Sequence, residues 1–449
     1  MAGSSYQTAV ARMYALGHEL AQSSAQKFDL AHVRVLLAAL NNPERRFSSV
    51  LIAGTNGKGS TAATLASILR IAGYRTGLYT SPHLIRINER IRISDAQIAD
   101  HDFALLHDLV DRTAERLVEE QELPWHPSFF EMLTAIAFEY FAQNKVDIAV
   151  LEVGMGGRLD ATNVVDPLLS VITDISLDHQ KFLGDTVAEI SREKAGIIRP
   201  GGIVVTLPQH PQANDVIGHT ILKLNANAIS AVPYVPPVSP ASDGHLATQA
   251  SVPISRYPLE VLGEQILVET PLLGRHQLRN VALAIASAVE LKKQGFKISA
   301  NTIARGIRDA RWPGRFQVLP SEGDAPEYVF DVAHNPAGAW ALRSTLSSFY
   351  EGRPLTFIFG AMRDKAIGEM AEILFPLADK VIVTRADNPR SASFEEIRDA
   401  ARTSADLEPA EDVSAALHLV RSLSPPAVVV ITGSIYLVGE AMRLLGVKV

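Results

Sequence analysis

The sequence predicts an α/β protein in two parts: a P-loop-type domain on a mostly parallel sheet, followed by a smaller Rossmann-like α/β domain. Three observations carry that expectation. Short β-branched apolar runs alternate with stretches of helical periodicity along most of the chain, the pattern of a parallel sheet covered by helices. A glycine-rich segment, "GTNGKGS" at 54–60, joins one such run to one such stretch. After a break in the pattern, a second alternating series starts near residue 313.

In chain order, the first strand is "SVLIA" (49–53), apolar and β-branched. The helix after the glycines, near 59–72, spaces its leucines for one face and stops at Gly73. "TGLYT" (76–80), "DIAVLEV" (147–153), "LLSVIT" (168–173) and "GIVVT" (202–206) are further strands, with helices expected near 99–119, 128–143, 186–195 and 276–294. Residues 208–262 are rich in proline and small polar residues and read as a looped excursion with a few short antiparallel strands. The second series has strands "RFQVL", "EYVFDVA", "LTFIFGA", "KVIVTRA" and "AVVVIT", with helices near 336–348, 366–376, 394–403, 411–423 and 434–444. The expected division is 1–298 for the first domain, 299–312 for a hinge linker and 313–449 for the second.

Composition narrows the function classes. Of 449 residues, 47% are hydrophobic and 20% charged, as in ordinary globular enzymes. The net charge of −7 and the absence of a lysine/arginine run argue against a nucleic-acid partner. There is no cysteine, hence no disulfide framework, thiolate nucleophile or thiolate metal site. No basic segment with an apolar core opens the chain, and no apolar run reaches the roughly 18 residues of a membrane span. A cytoplasmic protein without a membrane partner is the expectation.

The chemistry concentrates at expected strand ends. Gly54, Thr55, Asn56, Gly57, Lys58, Gly59 and Ser60 lie at a strand-to-helix turn, where backbone N–H groups and the helix N-terminus attract phosphate. The spacing is not that of the common Walker A loop: only two residues separate Gly54 from Gly57-Lys58, and Gly59 stands between the lysine and Ser60. Ser81, Glu152, and Asp178 with His179 follow three other strands, and parallel strands bring such ends to one edge. Mg2+ prefers oxygen ligands, which makes Ser60, Ser81 and Glu152 candidates. The alternative for Glu152 is a surface carboxylate capping a turn; for His179 it is a structural imidazole. "EVGMGGRLD" is not a dinucleotide fingerprint, because Leu159 occupies the third glycine position. In the second domain, "VFDVAHNPAG" and "ITGSIYLVGE" place Asp331, His334 and Ser434 after strands, with a plain helix N-cap as the alternative for Ser434.

Taken in order, "GTNGKGS", "SPHL", "FFEMLTA", "EVGMGGRLDATN", "REKAGI", "GRHQLRNVALAI", "WPGRFQV", "DVAHNPAG" and "GSIYLVGE" resemble the Mur ligase superfamily, and within it the folylpolyglutamate synthase and dihydrofolate synthase family. The resemblance covers nearly the whole chain. Peptidoglycan ligases look similar at the loop but usually carry threonine after the lysine, so Gly59 favours the folate branch. A ligase acting on another acid and a nucleotide-dependent switch are the rival readings.

The resemblance implies an ATP-dependent ligase that joins L-glutamate to a folate or to dihydropteroate through an acyl phosphate. It implies that Lys58 serves the β- and γ-phosphates, and that Ser60, Ser81, Glu152 and His179 hold Mg2+. It further implies that Lys194 is carbamylated by CO2 and helps hold a second Mg2+; K+ is a further cation the site could take. The alternative for Lys194 is an exposed helix lysine beside Glu193. Asn280 and Arg315 would contact adenine or phosphates and Asp331 the ribose, while Arg90, His334 and Ser434 would receive glutamate. Phe129 and Phe130 would line the pterin pocket, with ordinary helix core as the alternative, and "KFDL" (27–30) would touch the pterin. Lys58, Lys194 and His334 are the expected catalytic residues. The second domain of a monomer would close over the nucleotide.

Overall fold

The computed structural model describes residues 5–17, 29–237, 253–321, 323, 325–402, 406–421, 423 and 427–449. Lys27 and Phe28 of "KFDL", and residues 238–252 of the proline-rich excursion, lie outside them. The chain divides into two compact units. The first takes the described residues of 1–235, 260–266 and 280–310; the second takes those of 236–259, 267–279 and 311–449.

Among the described residues the first unit holds an eight-stranded sheet. Its strands are β1 (Ser48–Ala53), β2 (Thr76–Tyr79), β3 (Ile91–Ile93), β4 (Ala96–Gln97), β5 (Ile148–Glu152), β6 (Leu169–Ile172), β7 (Ile203–Thr206) and β8 (Asn227–Ser230). The spatial order is β4-β3-β2-β5-β1-β6-β7-β8. From β2 to β8 every neighbouring pair is parallel, and β3 and β4 add an antiparallel edge. β1 is central: Leu51 pairs with Leu151 of β5 and with Ser170 of β6. Its residues from Ser49 on are buried on both faces, which is why it reads as an unbroken apolar run.

Helices cover this sheet. They are α1 (Tyr6–Ala15), α2 (Leu30–Ala39), α3 (Lys58–Ile71), α4 (Asp100–Glu119), α5 (Phe129–Gln143), α6 (Gln180–Leu183), α7 (Val187–Ala195) and α8 (Pro211–Leu224). Tyr79, Phe103, Phe138 and Phe141 anchor the core among them. α5 and α7 begin with capping boxes, Ser128 with Glu131 and Thr186 with Glu189, so each entry point is set by its own sequence.

One expectation is corrected here. Within the excursion, residues 211–224 form α8 and residues 227–230 extend the sheet as parallel β8. Ala213 and Ile217 bury one face of α8, while β8 is an edge strand with mostly exposed residues and so lacks an apolar signature. Then comes the two-stranded ladder of β9 (Ser255–Val261) and β10 (Glu264–Thr270). Most of the expected hinge region, 299–312, is helical. After α9 (Arg275–Lys293), residues Ala300–Asp309 form α10, capped by Ser299 and belonging to the first unit. α10 packs on α3 through Gly306, where an added Cβ would stand 2.4 Å from Ile68 Cα.

The second unit is a six-stranded sheet, among the described residues, of β11 (Gln317–Leu319), β12 (Glu327–Phe330), β13 (Leu355–Phe359), β14 (Lys380–Val383), β15 (Leu407–Pro409) and β16 (Val428–Thr432). Its order is β11-β12-β16-β13-β14-β15, parallel except for β11. The associated helices are α11 (Pro336–Phe349), α12 (Ile367–Leu374), α13 (Phe394–Ala401), α14 (Val413–Val420) and α15 (Ile435–Leu444). Leu273, Phe316, Phe357, Phe359 and Val430 belong to its core.

Candidate active site

Four adjacent parallel strands, β2-β5-β1-β6, end at one edge, so the segments that leave them are neighbours in space. The glycine loop leaves β1. Gly54 and Gly57 have φ of +156° and +88°, and an added Cβ would stand 1.8 Å from Thr173 Oγ1 and 2.1 Å from Asn280 Oδ1 respectively. Glycine is thus required at both positions by backbone and by space. Beyond β6 the chain clasps the loop. Thr55 N–H donates to Asp174 O at 2.9 Å, Thr55 Oγ1 donates to Ser176 O at 3.0 Å, and Ser176 N–H donates back to Thr55 Oγ1 at 3.1 Å. Gly57 caps α3, with no acidic residue in the first turn to compete for an anion.

Lys58 opens α3. Its Nζ donates to Thr55 O at 3.2 Å and lies 3.9 Å from Glu152 Oε1. Glu152 ends β5 and is only 4% exposed, which removes the surface-carboxylate alternative. Its Oε2 accepts from Ser81 N–H at 3.2 Å. The structure therefore brings Lys58, Glu152 and Ser81 together, with Ser60 buried in the first turn of α3.

Lys194 is not an exposed helix lysine. It is 4% exposed, and its Nζ donates to Gly54 O at 2.8 Å. Burial first, then repulsion from Lys58, lowers its pKa to about 7. An amine at that value is substantially neutral at physiological pH, the form that reacts with CO2. Asp160, in the glycine turn after β5, accepts from Met155 N–H and from both Thr162 N–H and Oγ1. Burial raises its pKa to about 6 against those bonds.

A hard divalent cation fits these groups. Among the described residues no three His, Asp or Glu side chains form a metal-binding cluster. One buried carboxylate, bonded to Ser81 N–H beside a phosphate-type loop, suits an ion that takes its remaining oxygens from phosphate and water. His179 stands half-buried at the N-terminus of α6 with φ +50°, its N–H bonded to Asp178 Oδ1 at 2.8 Å.

The other expected residues divide between the units. In the first, Asn280 is buried against the glycine loop and its carbonyl accepts from Thr61 Oγ1 at 3.4 Å. Arg90, 3% exposed, donates from Nε to His83 Nδ1 at 2.8 Å, and its guanidinium lies 5.4 Å from the Phe129 ring centre. Phe129 is core, as its ordinary alternative has it, and its other ring neighbour is Tyr14, stacked at 5.8 Å. Phe130 is half-buried beside Tyr79, and a Cβ on Gly154 would stand 2.5 Å from its Cζ. In the second unit, Arg315 lies over the Trp312 ring. Asp331 is buried and accepts from Phe316 N–H and Ala333 N–H, each at 2.9 Å; burial raises its pKa. His334 Nδ1 donates to Val332 O at 2.9 Å. Ser434 Oγ accepts from Tyr436 N–H at 3.2 Å, so it is an N-cap of α15 whatever else it does.

Sequence reasoning assigns no role to His83 or Tyr14, although His83 lies inside "SPHL". Burial, then Arg90, lowers the His83 pKa well below its ordinary value. A lone histidine has no periodicity or spacing to mark it. The second-unit loops 360–365 and 386–393 bind each other: Arg390 pairs with Asp364 at 2.7 Å, and Ser393 starts α13 as a capping-box residue.

Known proteins place the chain in a family. Residues 131–288 match the Mur ligase middle domain, and residues 314–435 match the Mur ligase glutamate ligase domain. A dihydrofolate synthase/folylpolyglutamate synthase of Bacillus subtilis is 35% identical over 424 residues, 93% of this chain and 94% of its own. A Mycobacterium tuberculosis folylpolyglutamate synthase solved with ADP and AMPPCP superposes with a TM-score of 0.81 at 32% identity, over 98% of this chain and 99% of that one. An FPGS complex with AMPPCP and folate gives 0.80 at 31%, over 98% and 100%. On these matches, with the glycine loop, the buried Glu152 and Lys194 all in place, the chain belongs to the folylpolyglutamate synthase/dihydrofolate synthase family of the Mur ligases.

Proposed function

We propose that this protein is an ATP-dependent ligase that joins L-glutamate to folates, to dihydropteroate, or to both. The observation that carries the reading is the buried Glu152 carboxylate, held by Ser81 N–H and 3.9 Å from Lys58 Nζ at the mouth of the glycine loop. The relatives solved with AMPPCP, and with AMPPCP and folate, support the same substrates here.

In this reading the N–H groups of 54–60 and the Lys58 ammonium hold the terminal phosphates of ATP. A carboxylate oxygen of the acid substrate attacks the γ-phosphorus, the bond to the β-bridging oxygen breaks, and ADP leaves. The neutral amine of glutamate then attacks the acyl carbon, loses a proton and expels phosphate. Positioning and charge neutralisation do most of this work. Ser60, Ser81, Glu152 and His179 are the residues that would hold Mg2+, which supplies positive charge to the phosphate oxygens. Lys194, as a carbamate, would add oxygen donors beside Gly54, and K+ is a further cation for the same region. Asn280, Arg315 and Asp331 are assigned to the nucleotide, Arg90, His334 and Ser434 to glutamate, and Phe129 and Phe130 to the pterin wall. Domains 1–298 and 313–449, a monomeric state and a cytoplasmic location complete the proposal.

The test is ADP release and product mass with dihydropteroate and tetrahydrofolate side by side, each with glutamate. A glutamylated product from either is expected. ATP consumption with neither would overturn the reading.

A further inference from the structure

Arg90 reaches its place through a chain of contacts that the ligase reading leaves without a purpose. An arginine Nε–H can only donate, so at 2.8 Å His83 Nδ1 must accept and carry no proton. The ring proton then sits on Nε2 and points to Tyr14 Oη, 3.2 Å away. The Tyr14 ring stacks on Phe129 at 5.8 Å, and the Arg90 guanidinium lies 5.4 Å from that same ring. Tyr14, His83, Arg90 and Phe129 thus close a loop of four contacts. It ties the last turns of α1 to the start of α5 and to the segment before β3.

The rest of α1 is tied down as well. Tyr6 donates to Asn88, the Arg86 guanidinium lies over the Tyr6 ring, and Arg12 pairs with Asp111 at 2.9 Å. So Tyr14, itself partly exposed, stands on an anchored helix.

We propose that His83, held in its Nε2–H tautomer by Tyr14, is a positioning residue that sets the Arg90 guanidinium for the carboxylate of the incoming amino acid. The proposal rests on the assignment of Arg90 to glutamate. His83 itself touches no substrate; it occupies Nε, which fixes the plane of the guanidinium and thereby the direction of its remaining N–H groups. The ring-stacked Phe129 fixes the face of the same group.

Two substitutions of His83 separate positioning from mere packing. Asparagine places its Oδ1 where Nδ1 stands and keeps the acceptor for Arg90. Glutamine reaches the Nε2 position and loses it. In steady-state kinetics, His83→Gln and His83→Ala are expected to raise the KM for glutamate about tenfold, the order set by losing one hydrogen bond to a charged group, with the KM for ATP unchanged. His83→Asn should recover most of that loss, and the Arg90 Nε–H resonance should keep its wild-type position in His83→Asn and move in His83→Gln. An equal rise in both KM values, or Asn no better than Gln, overturns the proposal; because the two variants are compared with each other, a general loss of stability cannot mimic success. Arg90→Ala serves as the control. If it raises the glutamate KM while His83→Gln does not, the positioning role falls alone; if it leaves that KM unchanged, the assignment of Arg90 to glutamate falls, and the proposal with it.

Discussion

The Nζ of Lys194 donates a 2.8 Å hydrogen bond to the carbonyl of Gly54, 140 residues earlier in the chain. The contact fastens α7 to the first residue of the glycine loop, and burial beside Lys58 holds the amine at a pKa of about 7. A carbamate forms only from a neutral amine, the form that the proposed carbamylation of Lys194 requires. With 13C-bicarbonate, the wild-type protein should show a carbamate resonance that Lys194→Gln lacks. The same variant should lose about 100-fold or more in kcat, the scale of removing a group that serves the transition state.

Lys58→Ala should abolish most turnover and leave the fold intact. The side chain is near the surface of the loop, and its bond to Thr55 O is one of several that shape that segment. A fall of about 100-fold in kcat with thermal unfolding little changed is expected. Unaltered turnover would contradict the phosphate assignment.

Gly57→Ala should fail for a steric reason. The new methyl would meet Asn280 Oδ1 at 2.1 Å, at a φ of +88° that alanine resists. Calorimetry should show ATP affinity reduced about tenfold or more, because a shift of a few tenths of an ångström misaims every loop N–H group. Gly73→Ala is the counterpart without a clash, since nothing stands within 4 Å of its added Cβ; with φ +93° it carries the backbone strain alone.

Gly306→Val tests how closely α10 is held against α3. Because α10 touches α3 backbone to backbone, the larger side chain must push Ile68 Cα away. Overpacking of this kind costs about 1–3 kcal/mol, which urea titration would read as a lower midpoint. A flexible linker would tolerate the change.

The Arg12–Asp111–His126 group gives a pH dependence. The bond to Asp111 raises the His126 pKa against burial, and the bond from His126 lowers that of Asp111. The histidine's contribution is full below its ordinary 6.5 and fades as pH rises through its raised folded value; the carboxylate's is full above its ordinary 3.8 and fades as pH falls through its lowered one. His126→Gln should cost about 1 kcal/mol near pH 5.5 and close to nothing near pH 8.5, by urea unfolding at both values.

What could be read from sequence follows from where each segment is buried. β1, β5 and β6 lie inside the sheet and must be apolar on both faces, so each shows as a continuous run. β8 and the β3–β4 edge meet solvent or charge, with Arg92 in the middle of β3, and leave no such mark. The phosphate loop was legible because its chemistry is local: seven adjacent residues carry it. The clasp of Asn280 on Gly57 joins residues 223 apart, and no local pattern announces it; the family resemblance, not spacing, named Asn280. His83 was invisible for the opposite reason: it lies in a quoted motif, but its purpose exists only through Arg90 and Tyr14.

Asp331 has a consequence for how the second unit can change over time. Each of its oxygens already receives a main-chain N–H, one from Phe316 before β11 and one from Ala333 after β12. Asparagine there would turn an amide nitrogen towards one of those donors, and a longer glutamate would overshoot both. The side chain is a rivet between two segments, so any exchange at this position would first have to be solved as a folding problem.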